Sequence, residues 1–598
     1  MQRMSRISIA EGLARLGVRR LLLAIHDVSF PSDADEDTGR GSPATRAATR
    51  LFAYAKSLGF TGIQLGPQGQ TSRSNPSPYD STIFGHHIGN IAIASLRPGG
   101  TLEGLVTDDD IERALIDTAT AADIADGTRA GHVARARHRD AYDAMHAIVD
   151  AAWRTFRSGA RADLVAPFEA FRAANASWLE REALYLALSA THDRHGFRSW
   201  PAHERDLWIA ADHASIAALV DANAAVLDRH AFGQFLVDVE HRRVRAEAER
   251  VGLALYGDLQ VGYADADAWA YASVFHRDYL MGAPPSRTNP EGQPWGYPVL
   301  DPAQYAGAAR ALVVARADKA FADYDSMRID HPHGLICPWV YRADDRDPAV
   351  AVRAGARLFE SPDLDDHPAL AAFAIARGEQ IDRAQPRYAD RWVRELDAAQ
   401  IDRYSALFDA LVESARRHGR EASDLSCEVL STMPTPLEAV LARYDLGRWR
   451  ITQKANLDDA SDVYRAENAR RQDWVMLGNH DTAPVFSLLK SWPADKRDAW
   501  ARHLERRLRL ADPARLASDG FFASAMLAEL FVSRAENVSI FFADLFGIED
   551  RFNVPGLVDD ANWTLRLPAD FDALHRDRLA RESALDLSLA VDLALAAE

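Results

Sequence analysis

Two cysteines in 598 residues, Cys337 and Cys427, are too few and too far apart for a disulfide framework or a cysteine-rich zinc site. Free thiols in a reducing compartment are the reading that follows. Long apolar runs are missing as well. The run at 21–25 is broken by His26 and Asp27, and the first ten residues carry arginines but no continuous apolar stretch. Neither a secretory leader nor a membrane span is expected. Positive charge is in deficit, with 69 Lys and Arg against 87 Asp and Glu and a formal net charge of −18. That balance excludes non-specific affinity for nucleic acid or anionic membranes. A glycine-rich loop ending in Gly-Lys-Ser/Thr is absent, which removes the commonest phosphate cradle. Internal repeats and low-complexity linkers are absent too. The expectation is a cytoplasmic protein that handles a neutral partner such as a sugar.

What is present is an ordinary globular composition, 47% hydrophobic and 26% charged. Eight short apolar runs end in polar or charged clusters, at 21–28, 60–66, 253–261, 326–331, 426–430, 449–454, 474–481 and 538–546. Such runs suit buried parallel strands whose C-terminal ends open onto a site. Eight is the number that a closed α/β barrel needs. Helical periodicity fills the gaps, for example at 44–58 and 309–321. The predicted fold is therefore a (β/α)₈ TIM barrel occupying residues 1–598 as one catalytic unit. The spacing is uneven, so two helical insertions are expected, at 100–250 after the second strand and at 332–425 after the fourth. Helical stretches at 140–156, 178–191 and 391–417 support them. The chain closes on a helix after Arg576, with no separate C-terminal β-domain. Asp108-Asp109-Asp110 invites a nucleotide-sugar reading, but it precedes an apolar helical pattern and reads as a helix N-terminal charge cluster.

Carboxylates sit at three of the predicted strand ends: Asp330, Glu428 and Asp481. A barrel brings strand ends to one face, so the three can converge there. Two carboxyls are what glycoside chemistry requires, one as acid/base and one as nucleophile in a retaining enzyme. Each one alone also fits a helix cap or a strand-end ion pair. Arg328 lies two residues before Asp330, on the same strand face, where its charge can hold Asp330 ionised or serve a structural ion pair. Apolar neighbours of Glu428 would keep it protonated. Asp258, at the third strand end, is a sugar ligand or a loop cap. His331 and His480 are hydroxyl donors or structural histidines, and Tyr79 and Trp295 are stacking surfaces or packing. Chemistry run on carboxylates needs no metal and no organic cofactor.

Arg328-Ile329-Asp330-His331 resembles the nucleophile motif of glycoside hydrolase family 77, the amylomaltases or 4-α-glucanotransferases. Glu428 falls where that family has its acid/base, and His480-Asp481 is similar to its His-Asp pair. Further likenesses follow in order: Leu65-Gly66-Pro67 with Ser77-Pro78-Tyr79, Gly257-Asp258-Leu259, and Gly292-Gln293-Pro294-Trp295-Gly296 for the family's Gly-Gln-Arg-Trp-Gly loop. Trp178-Leu179-Glu180, Ser199-Trp200-Pro201, Asn553-Val554-Pro555-Gly556 and Asn562-Trp563 complete a set that spans residues 20–568. The resemblance implies Asp330 as nucleophile, Glu428 as acid/base and Asp481 as transition-state stabiliser. It implies Arg328, His331, His480, Tyr79, Asp258, Gln293 and Trp295 as substrate-binding residues. The implied substrates are α-1,4-glucans and maltooligosaccharides. The chain departs from the family at Val429 and Ser431, at Thr482 and Ala483, at Pro332 and His333, and at Tyr297. These changes bear on chain length, acceptor choice and the ratio of transfer to hydrolysis. The insertions are expected to wall the acceptor site. The rival readings are an α-glucan hydrolase of the amylase type and an inactive glucan-binding barrel.

Overall fold

The computed structural model describes residues 8–118, 134–287, 289–557, 559 and 561–598. Part of the expected 100–250 insertion, residues 119–133, thus lies outside the described residues. All eight predicted strands form: Arg20–Ala24, Gly62–Gln64, Ala254–Leu259, Ser326–Ile329, Leu425–Cys427, Trp449–Ile451, Trp474–Met476 and Asn537–Phe541. Every pairing among them is parallel. In chain order the sheet runs fifth, fourth, third, second, first, eighth, seventh, sixth. The sixth strand returns to the fifth through the Trp449 N–H, which donates to Val429 O at 3.1 Å, so the sheet curls into a barrel. Leu21, Leu22 and Leu23 are all at most 1% exposed, as a strand covered on both faces must be. The strands end earlier than their apolar runs. Gly66, Val261, Asp330 and Asp481 already lie in loops, where the chain leaves the ladder to build the upper rim.

The predicted crossover helices form as well. Arg46–Ser57 is capped by Thr45, whose side chain accepts from the Ala48 N–H, and it buries Ala47, Ala48, Leu51, Phe52 and Ala55 against the barrel. Ala308–Asp323 precedes the fourth strand. Between the second and third strands the long helices His138–Arg157, Val165–Thr191 and Ala224–Arg250 surround an aromatic core of their own. Phe156, Phe168, Phe232 and Phe235 meet there ring to ring.

The segment after the fourth strand is less helical than its pattern suggests. Trp339–Arg342 and Ala356–Arg357 join the hairpin of Phe275–Ala283 and Gln293–Leu300 in a four-stranded antiparallel sheet. The helix expected at 391–417 begins only at Ala398, where Asp397 and Gln400 form a capping box. The C-terminal region holds two helices, Phe571–Ala580 and Leu587–Ala597. After the last barrel strand the only strand among the described residues is the two-residue Leu565–Arg566. No described helix is long and apolar enough to cross a membrane.

Candidate active site

Arg328 is the centre of the site. Met327 and Ile329 point outward into the hydrophobic core, so strand alternation turns Arg328 inward. Parallel register sets Asp258 beside it on one neighbouring strand and Ser426 on the other. The guanidinium is 1% exposed and lies between the rings of Trp449, at 4.9 Å, and Tyr79, at 5.6 Å. Its Nη1 donates to both oxygens of Asp258, at 2.7 and 2.5 Å, and to Tyr79 Oη at 3.2 Å. Its Nη2 faces both Asp330 Oδ1, at 3.0 Å, and Glu428 Oε2, at 2.6 Å. The Val261 N–H donates to the other Asp330 oxygen at 3.1 Å. The Glu428 N–H donates to Ile329 O at 2.9 Å, which ties the fifth strand end to the strand that carries Asp330.

One cation among three buried carboxylates cannot hold all of them ionised. Burial, opposed by Arg328 and His331 and reinforced by Asp330, raises Glu428 above its ordinary value. Asp330 is also penalised by burial, but the charges of Arg328 and His331 outweigh it and hold the group well below the carboxylate range. Burial pushes Asp258 up, to about 7, and its two-pronged bond to Arg328 works against this. The site therefore pushes its two carboxyls in opposite directions, Asp330 towards the ionised form and Glu428 towards the protonated one, as acid/base glycoside chemistry requires.

Asp481 lies at the seventh strand end with a side chain 35% exposed, oriented by Asn553 Nδ2, which donates to it at 2.6 Å. His480 stacks on Tyr79 at 5.2 Å, and burial lowers its pKa, leaving it neutral near pH 7. Trp295 stacks on His331 at 5.1 Å, and its indole N–H donates to Gln293 Oε1 at 3.2 Å. His331 has φ of +40°, an uncommon left-handed conformation for a side-chain-bearing residue, at the point where the chain turns off the strand.

Eight of the ten residues singled out from sequence line one cleft: Tyr79, Gln293, Trp295, Asp330, His331, Glu428, His480 and Asp481. Arg328 and Asp258 do not; their side chains are buried beneath the floor, each 1% exposed, and paired with one another. The cleft has a cavity volume of about 460 Å³, within the roughly 300–1,000 Å³ of a small-ligand pocket, and it is open at its mouth.

Among the described residues its walls come from 75–80, 293–297, 553–557, 559 and 561–563, and from neither of the two insertions. The insertion helices after the second strand pack their apolar faces on one another and on the outer helix Ala308–Asp323 instead. Asp80, Tyr297, Asn553, Asn562 and Trp563 also line the cleft, and Tyr297 Oη donates to Asp80 Oδ1 at 2.7 Å. His26 was missed: it lies below Tyr79, His480, Phe552 and Trp563, with both ring nitrogens unbonded. Gly66 makes room for it, since a Cβ there would sit 2.1 Å from its ring. The strand-end rule that selected Asp330 would have selected His26. Asp330, His331 and Glu428 bring ligand atoms within 4.8 Å of one another and could in principle hold a metal. Arg328 already places its positive charge against both carboxylates, which disfavours a second cation there.

A family described as 4-alpha-glucanotransferase matches residues 25–571. The chain belongs to the 4-alpha-glucanotransferase family. A 4-alpha-glucanotransferase of Mycobacterium tuberculosis is 26% identical over 480 residues, covering 74% of this chain and 59% of that one. That of Thermus thermophilus is 31% identical over 196 residues, covering 31% of this chain and 38% of the relative. The chain thus spans less than two thirds of the length of these curated relatives. Among solved structures, the amylomaltase from Streptococcus agalactiae in complex with acarbose superimposes with a TM-score of 0.70 at 17% identity, covering 95% of this chain and all of that one. The amylomaltase from Corynebacterium glutamicum gives 0.66 at 18% identity, covering 97% of this chain and 76% of that one. At such identities these two likenesses show the fold alone.

Proposed function

We propose that this 4-alpha-glucanotransferase family member moves α-1,4-glucan segments between maltooligosaccharides by a retaining mechanism. One observation carries the reading: carboxylate oxygens of Asp330 and Glu428 approach within 4.8 Å while both contact the same Arg328 nitrogen. Retaining enzymes hold their two carboxyls close together, whereas inverting ones need room to admit a water between acid and sugar.

In the first step Asp330 attacks the anomeric carbon and the glycosidic C–O bond breaks. The departing oxygen takes the proton of Glu428, leaving a glycosyl ester on Asp330 and a free acceptor end. In the second step the 4-hydroxyl of an incoming glucan attacks that carbon, its proton passes to the Glu428 carboxylate and Asp330 is released. Asp481, steadied by Asn553, holds sugar hydroxyls and stabilises the positive charge that develops at the anomeric centre. Arg328 keeps Asp330 ionised throughout, and Asp258 keeps Arg328 in place. Trp295, Tyr79 and Tyr297 supply aromatic surface along the cleft. Holding the acceptor in register gives its hydroxyl a high effective concentration over water.

Incubation with maltotriose tests the reading. Transfer yields longer maltooligosaccharides plus glucose with little gain in reducing ends. A steady rise in reducing ends without longer products would make the protein a hydrolase. Inertness towards maltotriose and other α-1,4-glucans would make it a glucan-binding barrel.

A further inference from the structure

A second cavity lies outside the catalytic cleft, on the flank of the sixth barrel strand, with an empty volume of about 790 Å³. Arg391, Arg448, Arg450 and Arg470 all face it. That is unexpected in a chain with a net charge of −18. Around the four guanidiniums stand three carboxylates. Glu438 pairs with Arg391 at 2.8 Å. Asp473, fully buried, pairs with Arg450 at 2.8 Å and more loosely with Arg470 at 3.8 Å. Asp390 lies on the cavity wall.

Arg448 is the one left over. It is 8% exposed, makes no ion pair among the described residues, gives one amino group to the backbone oxygen of Leu430, and has an Nε with no acceptor. A buried guanidinium in that condition is costly unless an anion completes it. Planar, multidentate donors of this kind are the usual partners of phosphate oxygens.

Next to this cavity, and sharing Asp390 and Ser431 with it, lies a shallower one of about 810 Å³. Its lining holds one arginine, Arg287, which pairs with Asp462, together with Ser286, Ser431, Thr432, two prolines and Tyr388, a residue 38% exposed. An exposed tyrosine beside hydroxyl donors is a surface on which a sugar ring can stack.

We propose that the two cavities form one composite site for a phosphorylated sugar. The phosphoryl group sits among Arg391, Arg448 and Arg470, and the sugar rests on Tyr388. The site is distinct from the cleft that holds Asp330 and does not depend on the chemistry assigned there. It is nevertheless connected to it, because Leu430, which Arg448 grips, and Ser431 follow Glu428 on the same loop. Occupancy can therefore be felt at the acid/base. The phosphoryl group could arrive on a free hexose phosphate or as an ester on a glucan chain.

Titration calorimetry on the full chain with glucose 6-phosphate, inorganic phosphate, glucose and a 6-phosphorylated maltooligosaccharide tests the proposal. Saturable binding of at least one sugar phosphate is expected, about tenfold tighter than either inorganic phosphate or glucose. The R391Q/R470Q double variant should lose about tenfold in that affinity and keep maltotriose turnover, since both side chains are surface-facing, 61% and 55% exposed. Arg448→Gln should lose more. Preference for glucose 6-phosphate would make the ligand a free metabolite, and preference for the oligosaccharide would make it a modified glucan. No saturable binding of either sugar phosphate, binding unmoved by all three substitutions, or inorganic phosphate binding as tightly as the sugar phosphates would each overturn it.

Discussion

Replacing Arg328 by Gln removes the site's central charge while leaving a side chain that still donates hydrogen bonds. The cation lies 3.0 Å from Asp330. At that distance and an effective dielectric of about 20, Coulomb's law gives roughly 5–6 kcal/mol, an upper bound near 4 pH units on how far Arg328 depresses the nucleophile. The amide dipole of Gln and entry of water recover part of this, so the Asp330 pKa is expected to rise by about 2 units. Its depressed value makes Asp330 a carboxylate over the whole working range. In the variant the acid limb of kcat/KM for maltotriose disproportionation should climb by about 2 pH units, towards but not past the ordinary carboxylate range, with the profile near neutral pH unmoved by this effect. Leaving Asp258 and Glu428 without their cation should also cost about 3–5 kcal/mol of stability, so circular dichroism and thermal melting must accompany the kinetics. Arg328→Lys restores the charge but not the fork, and should return the acid limb towards the parent position while leaving kcat low. A folded Arg328→Gln protein with an unshifted pH profile would refute the electrostatic role.

Asp330→Asn should abolish turnover with the fold and glucan binding retained; parent-like activity in a clean preparation would remove Asp330 as nucleophile. Glu428→Gln should cripple maltotriose turnover yet partly spare α-glucosyl fluoride, whose leaving group needs little protonation; equal losses on both, with the first step limiting, would count against the acid role. The same substitution should raise the melting temperature. The folded pKa of Glu428 is raised, so its ionisation costs stability once pH passes the ordinary value of 4.5, and the gain on removing it should grow from nothing in acid to its full size above the folded pKa. Dialysis against EDTA should leave transfer unchanged, because Arg328 supplies the positive charge at the carboxylates; activity lost to EDTA and restored by calcium or zinc would mean that the site uses a metal.

The barrel was legible because its signals are local. A strand buried on both faces must be an apolar run, and the polar residue that ends it marks the rim, which is how Asp330, Glu428 and Asp481 could be chosen without knowing where the chain went. The same rule passed over His26, because the break it makes in the first run was read only as evidence against a leader. The four-stranded sheet was invisible for a different reason. Trp339, Val340 and Tyr341 pair with Phe275–Ala283, and nothing in a short aromatic run names a partner that far back along the chain.

Residue type and spacing alone determined the eight strands, the carboxylates at their ends and the alternation that sets Arg328 and Asp330 on one face. Which carboxylate is charged was decided only by tertiary structure, since burial and the reach of one guanidinium depend on strands brought together by parallel register. So was the fate of Asp258, which meets Arg328 across the sheet and Tyr79 from 179 residues away. Asp481 owes its orientation to Asn553, 72 residues further on. The cleft itself belongs to loops after the second, third and eighth strands, because closing the barrel brings those ends around one centre. Local pattern carries the period of a strand; only the closed sheet carries distance and desolvation, and these set the chemistry.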